Sequence, residues 1–172
     1  MNLITPKPKI YICNVDEKSV AKGNIFSNLV KERADKESDD VVLVSAAIES
    51  QIAELENETD KLEMLKELEL KETTLKKVIH AGYNLLNLIT FFTCEPTETR
   101  AWTITKNATA SQAAGKIHTD FEKGFIRAET IAYDDFADLK GAAACRDAGK
   151  LRLEGKDYIV KDGDVFHFLF NV

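Results

Sequence analysis

Four residues directly after a short apolar run, Asn14-Val15-Asp16-Glu17, have side chains able to read the edge of a heterocycle. Adenine offers an N6–H donor beside the N7 acceptor, and a carboxamide such as that of Asn14 can meet both with its oxygen and its nitrogen. Glu17 adds an acceptor three residues on. A second short apolar run ends at Ser45-Ala46, and Ser45 with Glu49 has near-capping spacing for a helix. By spacing alone, Asn14 to Glu17 reads as a plain turn; a base-reading role needs the strand before it and a family resemblance.

No other constellation suggests catalysis or a metal. His80, His118 and His167 occur without HExxH or paired spacing, and Cys13, Cys94 and Cys145 form no CxxC pair. A structural hydrogen bond is expected for His118, which stands two residues before Asp120. No G-x-x-x-x-G-K-[ST] phosphate loop is present. The expectation is therefore no catalytic residue and no metal ligand in these 172 residues.

The elements that must hold the loop are legible. Residues 9–13 (KIYIC) and 41–46 (VVLVSA) are β-rich runs, separated by 23–37, where Ile25, Phe26, Leu29 and Val30 share a stripe. Strand, helix, strand implies a parallel pair with a crossover. Helices are expected near 47–57 (Ile48, Ile52, Leu55) and 73–87 (Leu75, Val78, Ile79, Leu86), with the Leu-rich charged stretch between them a packed helix.

Near Leu88 the character changes. ITFFTC (89–94) and TRAWTIT (99–105) around Glu95-Pro96-Thr97 read as a hairpin. Thr109 and Gln112 have capping-box spacing for the helix ASQAAGKIH, GFIRAETIAY (124–133) reads as a strand, and YIVKDGDVFHFLF (158–170) reads as two strands about Asp162-Gly163. The order implies a ubiquitin-like β-grasp with a core of Phe92, Trp102, Ile104, Ile117, Phe125, Ile159 and Phe168 or its neighbours.

Composition sets bounds. Apolar residues are 44%, charged residues 30% and the net charge is −6, as in a folded globular protein. Residues 1–87 carry 12 Lys+Arg against 16 Asp+Glu, and 88–172 carry 11 against 13, so neither half is a basic nucleic-acid domain by net charge. No apolar run approaches a membrane span, and the odd, scattered cysteines suit a reducing cytoplasm.

AWTITKNATASQAAGKIHTDFEKGFIRAE followed by GKDYIVKDGDVFHFLFNV resembles the C-terminal TGS domain of the Obg-like (YchF-type) ATPases, and PKIYICNVDE and VVLVSAAIES resemble that family's base-recognition loop and last nucleotide-contacting loop. One departure is Lys106-Asn107-Ala108 where many relatives have glycine before the helix; asparagine is the best substitute where positive φ is required. GTP-binding domains of the ordinary kind read N-K-x-D, whereas here Val15 replaces the lysine and Glu17 the aspartate, a pattern that in this family goes with ATP.

The resemblance implies an α+β chain in two parts: 1–87, an α/β remnant of a P-loop nucleotide-binding domain, and 88–172, a β-grasp TGS domain. It implies nucleotide contacts at Asn14, Val15, Glu17, Ser45 and Ala46, with ATP or GTP and magnesium in the full-length protein and none bound to this chain. It also implies a ribosome or RNA partner, met by Arg100, Lys116, Lys123, Arg127, Arg152 and Lys156, with no membrane, a cytoplasmic setting, and self-association of the shortened chain. This chain alone is not expected to hydrolyse nucleotide. The alternative is a stand-alone TGS-type module binding RNA or the ribosome.

Overall fold

The computed structural model describes residues 7–95 and 98–171. The chain divides into two compact units, Met1–Leu86 and Asn87–Val172, of mixed α and β structure.

In the first unit, β1 (Ile10–Asn14) and β2 (Asp40–Val44) pair in parallel, Ile10 opposite Asp40 and Asn14 opposite Val44. Helix α1 (Ile25–Glu37) makes the crossover. It starts on a reciprocal cap, in which the Asn24 side chain accepts the Ser27 N–H and the Ser27 hydroxyl accepts the Asn24 N–H, satisfying donors that a helix start leaves open. It ends at Ser38, in the left-handed region at φ 58°. Helices α2 (Ala46–Glu54), α3 (Glu58–Glu67) and α4 (Thr74–Leu85) follow.

The expected apolar stripe of α1 does not face the sheet. Ile25 (71%), Phe26 (74%) and Leu29 (59%) are exposed, while Ser27 and Ala34 are buried. Ser27 and Ala34 are seven residues apart, two turns of one face, and their small side chains let the helix lie close to the sheet. Helix α4 behaves alike: Thr74 is fully buried, and Leu75, Ile79 and Leu86 are exposed. The core of this unit gathers Val20, Ile48, Ile52, Leu65 and Leu70, as the 47–57 pattern and the Leu-rich helix predict.

The second unit holds β3 (Leu88–Cys94), β4 (Thr99–Thr105), α5 (Ala110–Ile117), α6 (Thr119–Lys123), β5 (Phe125–Ala132), α7 (Tyr133–Leu139), α8 (Ala142–Asp147), β6 (Arg152–Glu154) and β7 (Asp164–Phe170). The sheet runs β4-β3-β7-β5-β6, with β3 and β7 parallel and the other neighbours antiparallel. Pro96 and Thr97 of the expected first turn lie outside the described residues. Glu95 and Glu98 on either side exchange two backbone hydrogen bonds and close the hairpin.

The capping box of α5 forms as expected: the Thr109 hydroxyl accepts the Gln112 N–H, and the Gln112 side chain accepts the Thr109 N–H. Asn107 stands at φ 70°, the conformation implied by the glycine that many relatives have there. One face of the sheet buries Ile89, Phe91, Ile104, Phe166 and Phe168 with Ala113 and Ala114 of α5, and Trp102, Ile117 and Phe125 pack at its margin.

Two expectations are overturned. The expected final hairpin does not form, because Tyr158–Val160 pairs with the entrance of α5 and not with β7. The Ala110 N–H donates to the Tyr158 carbonyl at 2.8 Å, and the Val160 N–H to the Ala108 carbonyl at 3.0 Å. Strand β7 is left free to enter the sheet between β3 and β5, and Ile159 is 47% exposed. The Asp162-Gly163 turn itself is present: Gly163 stands at φ 83°, and the Asp162 carboxylate accepts the Thr90 N–H at 2.8 Å. Phe92 belongs to the opposite face, with Ile131, Cys145, Val165 and Phe136 under α7 and α8. Side chains alternate along a strand, so burying Phe91 on one face commits Phe92 to the other. Helices α7 and α8 and strand β6 carry no expectation from the sequence pattern.

Two charged networks brace the units. In the first, Lys9 donates to Glu37 and pairs with Asp39 at 3.1 Å, and the Tyr11 hydroxyl and Arg33 also donate to Glu37. In the second, Asp164, 3% exposed, accepts from the Tyr158 hydroxyl at 2.9 Å, the Lys161 N–H at 2.9 Å and Arg152 at 3.3 Å. Burial first, and then the hydrogen bond to Asp164, pushes the Tyr158 phenol above its ordinary range.

Candidate functional site

The Asn14-Val15-Asp16-Glu17 segment leaves the carboxyl end of β1, and Ser45-Ala46 leaves the carboxyl end of the parallel β2 beside it. In open α/β arrangements this edge is where ligands bind. The Val15 N–H donates to the Val44 carbonyl at 2.8 Å, carrying the pairing one residue past the strands. Asp16 then caps a 3₁₀ turn at Glu17–Ser19 by accepting the Ser19 N–H at 2.9 Å. The loop is a turn and a cleft wall at once. Asn14, Val15, Asp16, Glu17, Lys18, Ser45 and Ala47 enclose a cleft of about 440 Å³.

Asn14 is held by the second loop: its Oδ1 accepts the Ala46 N–H at 3.2 Å. An amide oxygen has two acceptor sites, so this contact orients the carboxamide and leaves the Nδ2 hydrogens and one lone pair for a ligand. It also commits the Ala46 N–H, expected at the base edge, to Asn14. Glu17 Oε1 accepts from Gln51 on α2 at 3.3 Å. The sequence does not single out Gln51; its place one helical turn and more beyond Ala46 was the available signal. Val15 packs beside Val20 and Ile48 as well as lining the cleft.

Ser45 stands at the N-cap of α2 as expected, but its side chain makes no capping hydrogen bond. Glu49 instead accepts both the backbone N–H and the hydroxyl of Thr74, which takes it to the start of α4. The Ser45 hydroxyl is left buried, 1% exposed and without a hydrogen-bond partner. Such a group costs about 1–3 kcal/mol. The oriented Asn14 amide and the Glu17 carboxylate thus border one cleft, with the Ser45 hydroxyl buried behind its wall.

The expected cationic contacts are distributed over separate elements. Arg100 lies on β4 over the Trp102 ring, its guanidinium carbon 4.8 Å from the ring centroid. Lys116 and Lys123 stand in the last turns of α5 and α6, Arg127 on β5, and Lys156 in the loop after β6. Arg152 is committed inward to Asp164 and Tyr158, which makes it a structural residue. His118 makes its expected local bond, Nδ1 accepting the Asp120 N–H at 3.2 Å. Among the described residues there is no group of three or more His, Cys, Asp or Glu arranged to hold a metal ion, and no helix long and apolar enough to cross a membrane.

A parallel β-α-β element with a cleft at its carboxyl edge, joined in sequence to a mixed five-stranded sheet, makes this a chain of mixed α and β structure in two units. The comparisons name the family. Residues 88–171 match YchF-GTPase_C, described as Protein of unknown function (DUF933). The chain is 57% identical over 171 residues to the ribosome-binding ATPase YchF of Pasteurella multocida, covering 99% of this chain and 47% of that protein. It is 45% identical to Obg-like ATPase 1 of Rattus norvegicus, covering 98% and 43%. The solved Schizosaccharomyces pombe YchF GTPase superposes with a TM-score of 0.81 at 40% identity, covering 96% of this chain and 44% of that one. Over nearly its whole length this chain is similar to the C-terminal part of the YchF/Obg-like ATPases, and its residues 88–171 carry the YchF-GTPase_C domain. It spans about half the length of the curated relatives it matches.

Proposed function

We propose that this chain is the base-reading and C-terminal portion of a nucleoside triphosphatase that associates with the ribosome or RNA and prefers ATP to GTP. The observation that carries this reading is the cleft at the carboxyl ends of β1 and β2, where Ala46 orients the Asn14 amide. The amide presents Nδ2–H to the purine N7 and its remaining oxygen lone pair to the adenine N6–H. Guanine has an acceptor in place of that N6–H, and its N1–H and amino group want a carboxylate placed as aspartate places it. Glu17 is one methylene longer and is drawn toward Gln51, while the Ala46 N–H that would meet the guanine O6 is occupied. Mismatched polar groups of this kind give discrimination because they stay unpaired.

In the whole protein, a bound nucleotide with magnesium would supply the phosphoryl chemistry. The residues of this chain bind and orient the base. The phosphate loop is absent from these 172 residues, so the chain by itself is expected to show no turnover. We read residues 1–87 as the end of the nucleotide domain and 88–172 as a TGS domain of β-grasp type. That reading is supported by the first and last strands of the second unit lying parallel side by side and by α5 crossing one face. The ribosome partner rests on the relatives' names, and a cytoplasmic setting follows from it. Self-association of the shortened chain would use the exposed Ile25, Phe26 and Leu29 of α1; a strict monomer by light scattering at high concentration would remove that part.

The test is made in the full-length protein by measuring dissociation constants for ATP and GTP before and after Val15→Lys with Glu17→Asp, and with Glu17→Asp alone because Val15 also packs inward. One good bidentate base contact is worth about 1–3 kcal/mol, so the ratio should move toward GTP by roughly tenfold or more. An unchanged ratio with intact folding means that this loop does not set the base preference.

A further inference from the structure

A second cleft lies in the C-terminal unit, holds about 320 Å³, and has aromatic walls with a charged rim. Phe121 and Phe170 stack at 3.7 Å on one side, and Trp102 forms another. The Trp102 Nε1–H is already given to the Thr93 hydroxyl at 3.0 Å, so the indole is fixed in orientation and offers a visitor its face. An indole face is negative and attracts cations. Arg100 shows this within the chain, its guanidinium 4.8 Å from the ring centroid and its Nε 3.9 Å from the exposed Glu98 carboxylate. That ion pair is long and open to water, which makes it weak.

The rim has more carboxylate than Arg100 can balance. Among the described residues Glu95 has the His167 ring at 3.7 Å, so two rim carboxylates, Glu95 and Glu98, stand against the one guanidinium of Arg100. The C-terminal half has 13 acidic against 11 basic residues, which opposes a phosphate backbone and suits a cation. We propose that this cleft is a docking site for an arginine side chain presented by a basic protein partner, and that Arg100 is an internal stand-in which the partner's guanidinium displaces from the Trp102 face. The planar guanidinium stacks on the ring while its fork pairs with Glu98, and Glu95 supplies the second acceptor.

Trp102 is the only tryptophan in the chain, so its fluorescence reads the site directly in the 172-residue protein. The probes are the blocked peptide acetyl-Gly-Arg-Gly-amide, its glutamine counterpart, and hexauridylate for a nucleobase. Expected is a saturable change with the arginine peptide that falls with added salt, and none with the other two. Arg100→Ala should tighten peptide binding by about two- to fivefold, the ratio that an exposed cation–π pair is worth. Glu98→Gln should weaken it several-fold, with Glu95→Gln as a second rim variant and far-ultraviolet circular dichroism verifying the fold of each. The proposal is overturned if the arginine peptide gives no saturable change in either the parent or Arg100→Ala, if the glutamine peptide binds equally, or if hexauridylate saturates the signal where the peptide does not.

Discussion

The Asn14 side-chain oxygen accepts the Ala46 backbone N–H at 3.2 Å, so the last residue of β1 also fastens the first residue of α2. Thirty-two positions in the chain are bridged by that contact, and it is the link between the two loops of the base cleft. Asn14→Ala should lower the stability of the first unit by about 1 kcal/mol, the net worth of a hydrogen bond of this type. Asn14→Asp keeps an acceptor and places a negative charge at a helix N-terminus, where it is favourable, so it should stay within about 0.5 kcal/mol of the parent. Urea unfolding followed by circular dichroism separates the two; equal losses would mean that the Ala46 contact contributes nothing.

The turn before α5 depends on Asn107 at φ 70°. A side chain branched at Cβ meets the backbone there, with a cost of about 1–2 kcal/mol. Asn107→Val should therefore lower the thermal midpoint of the second unit, whereas Asn107→Gly should leave it unchanged or slightly raised. A neutral Asn107→Val would show that the loop relaxes to another conformation.

Lys9 first, then Tyr11 and Arg33, hold the Glu37 carboxyl down to about 2 from its ordinary 4.5. Because the folded value is depressed, the stabilisation is fully present above about 4.5 and is lost as pH falls from there through about 2. Glu37→Gln removes the titrating group, so its denaturation midpoint should lie below the parent's at pH 7 and converge on it by pH 2. Parallel midpoints at all pH values would show that Glu37 is not linked to folding. The contact is exposed, so added salt should shrink the difference.

Asp164 serves three donors while 3% exposed. Asp164→Ala strips partners from Arg152, Tyr158 and the Lys161 N–H, and should cost about 2–3 kcal/mol, below the full figure for a buried ion pair because Arg152 is partly solvated. Asp164→Asn keeps an acceptor for the Tyr158 hydroxyl and should lose less. Chemical unfolding of both variants is the measurement, and equal losses would mean that charge alone matters at this position.

What the sequence determined was local. Val41 to Val44 and Ile10 to Cys13 announce strands through β-branched and apolar runs, and Thr109 and Gln112 announce a helix start through a three-residue spacing. Each signal acts within one turn or one pleat, so no distant partner is needed to set it. The Asn14 loop is legible locally only as a turn after a strand, and its base-reading role comes from the family resemblance.

Pairing was decided only in three dimensions. Tyr158–Val160 has the composition of a hairpin strand, yet its backbone groups bond to Ala108 and Ala110, because the capped entrance to α5 presents free donors and acceptors at that place. Ser45 and Glu49 have the spacing of a cap, but Glu49 is taken by Thr74 across the unit, and the Ser45 hydroxyl is buried without a partner. The apolar stripe of α1 faces outward because Ser27 and Ala34, being small, allow the closer approach to the sheet. Backbone donors and short side chains carry almost no pattern along the chain, and which of them meet is fixed by the packing of segments far apart in sequence.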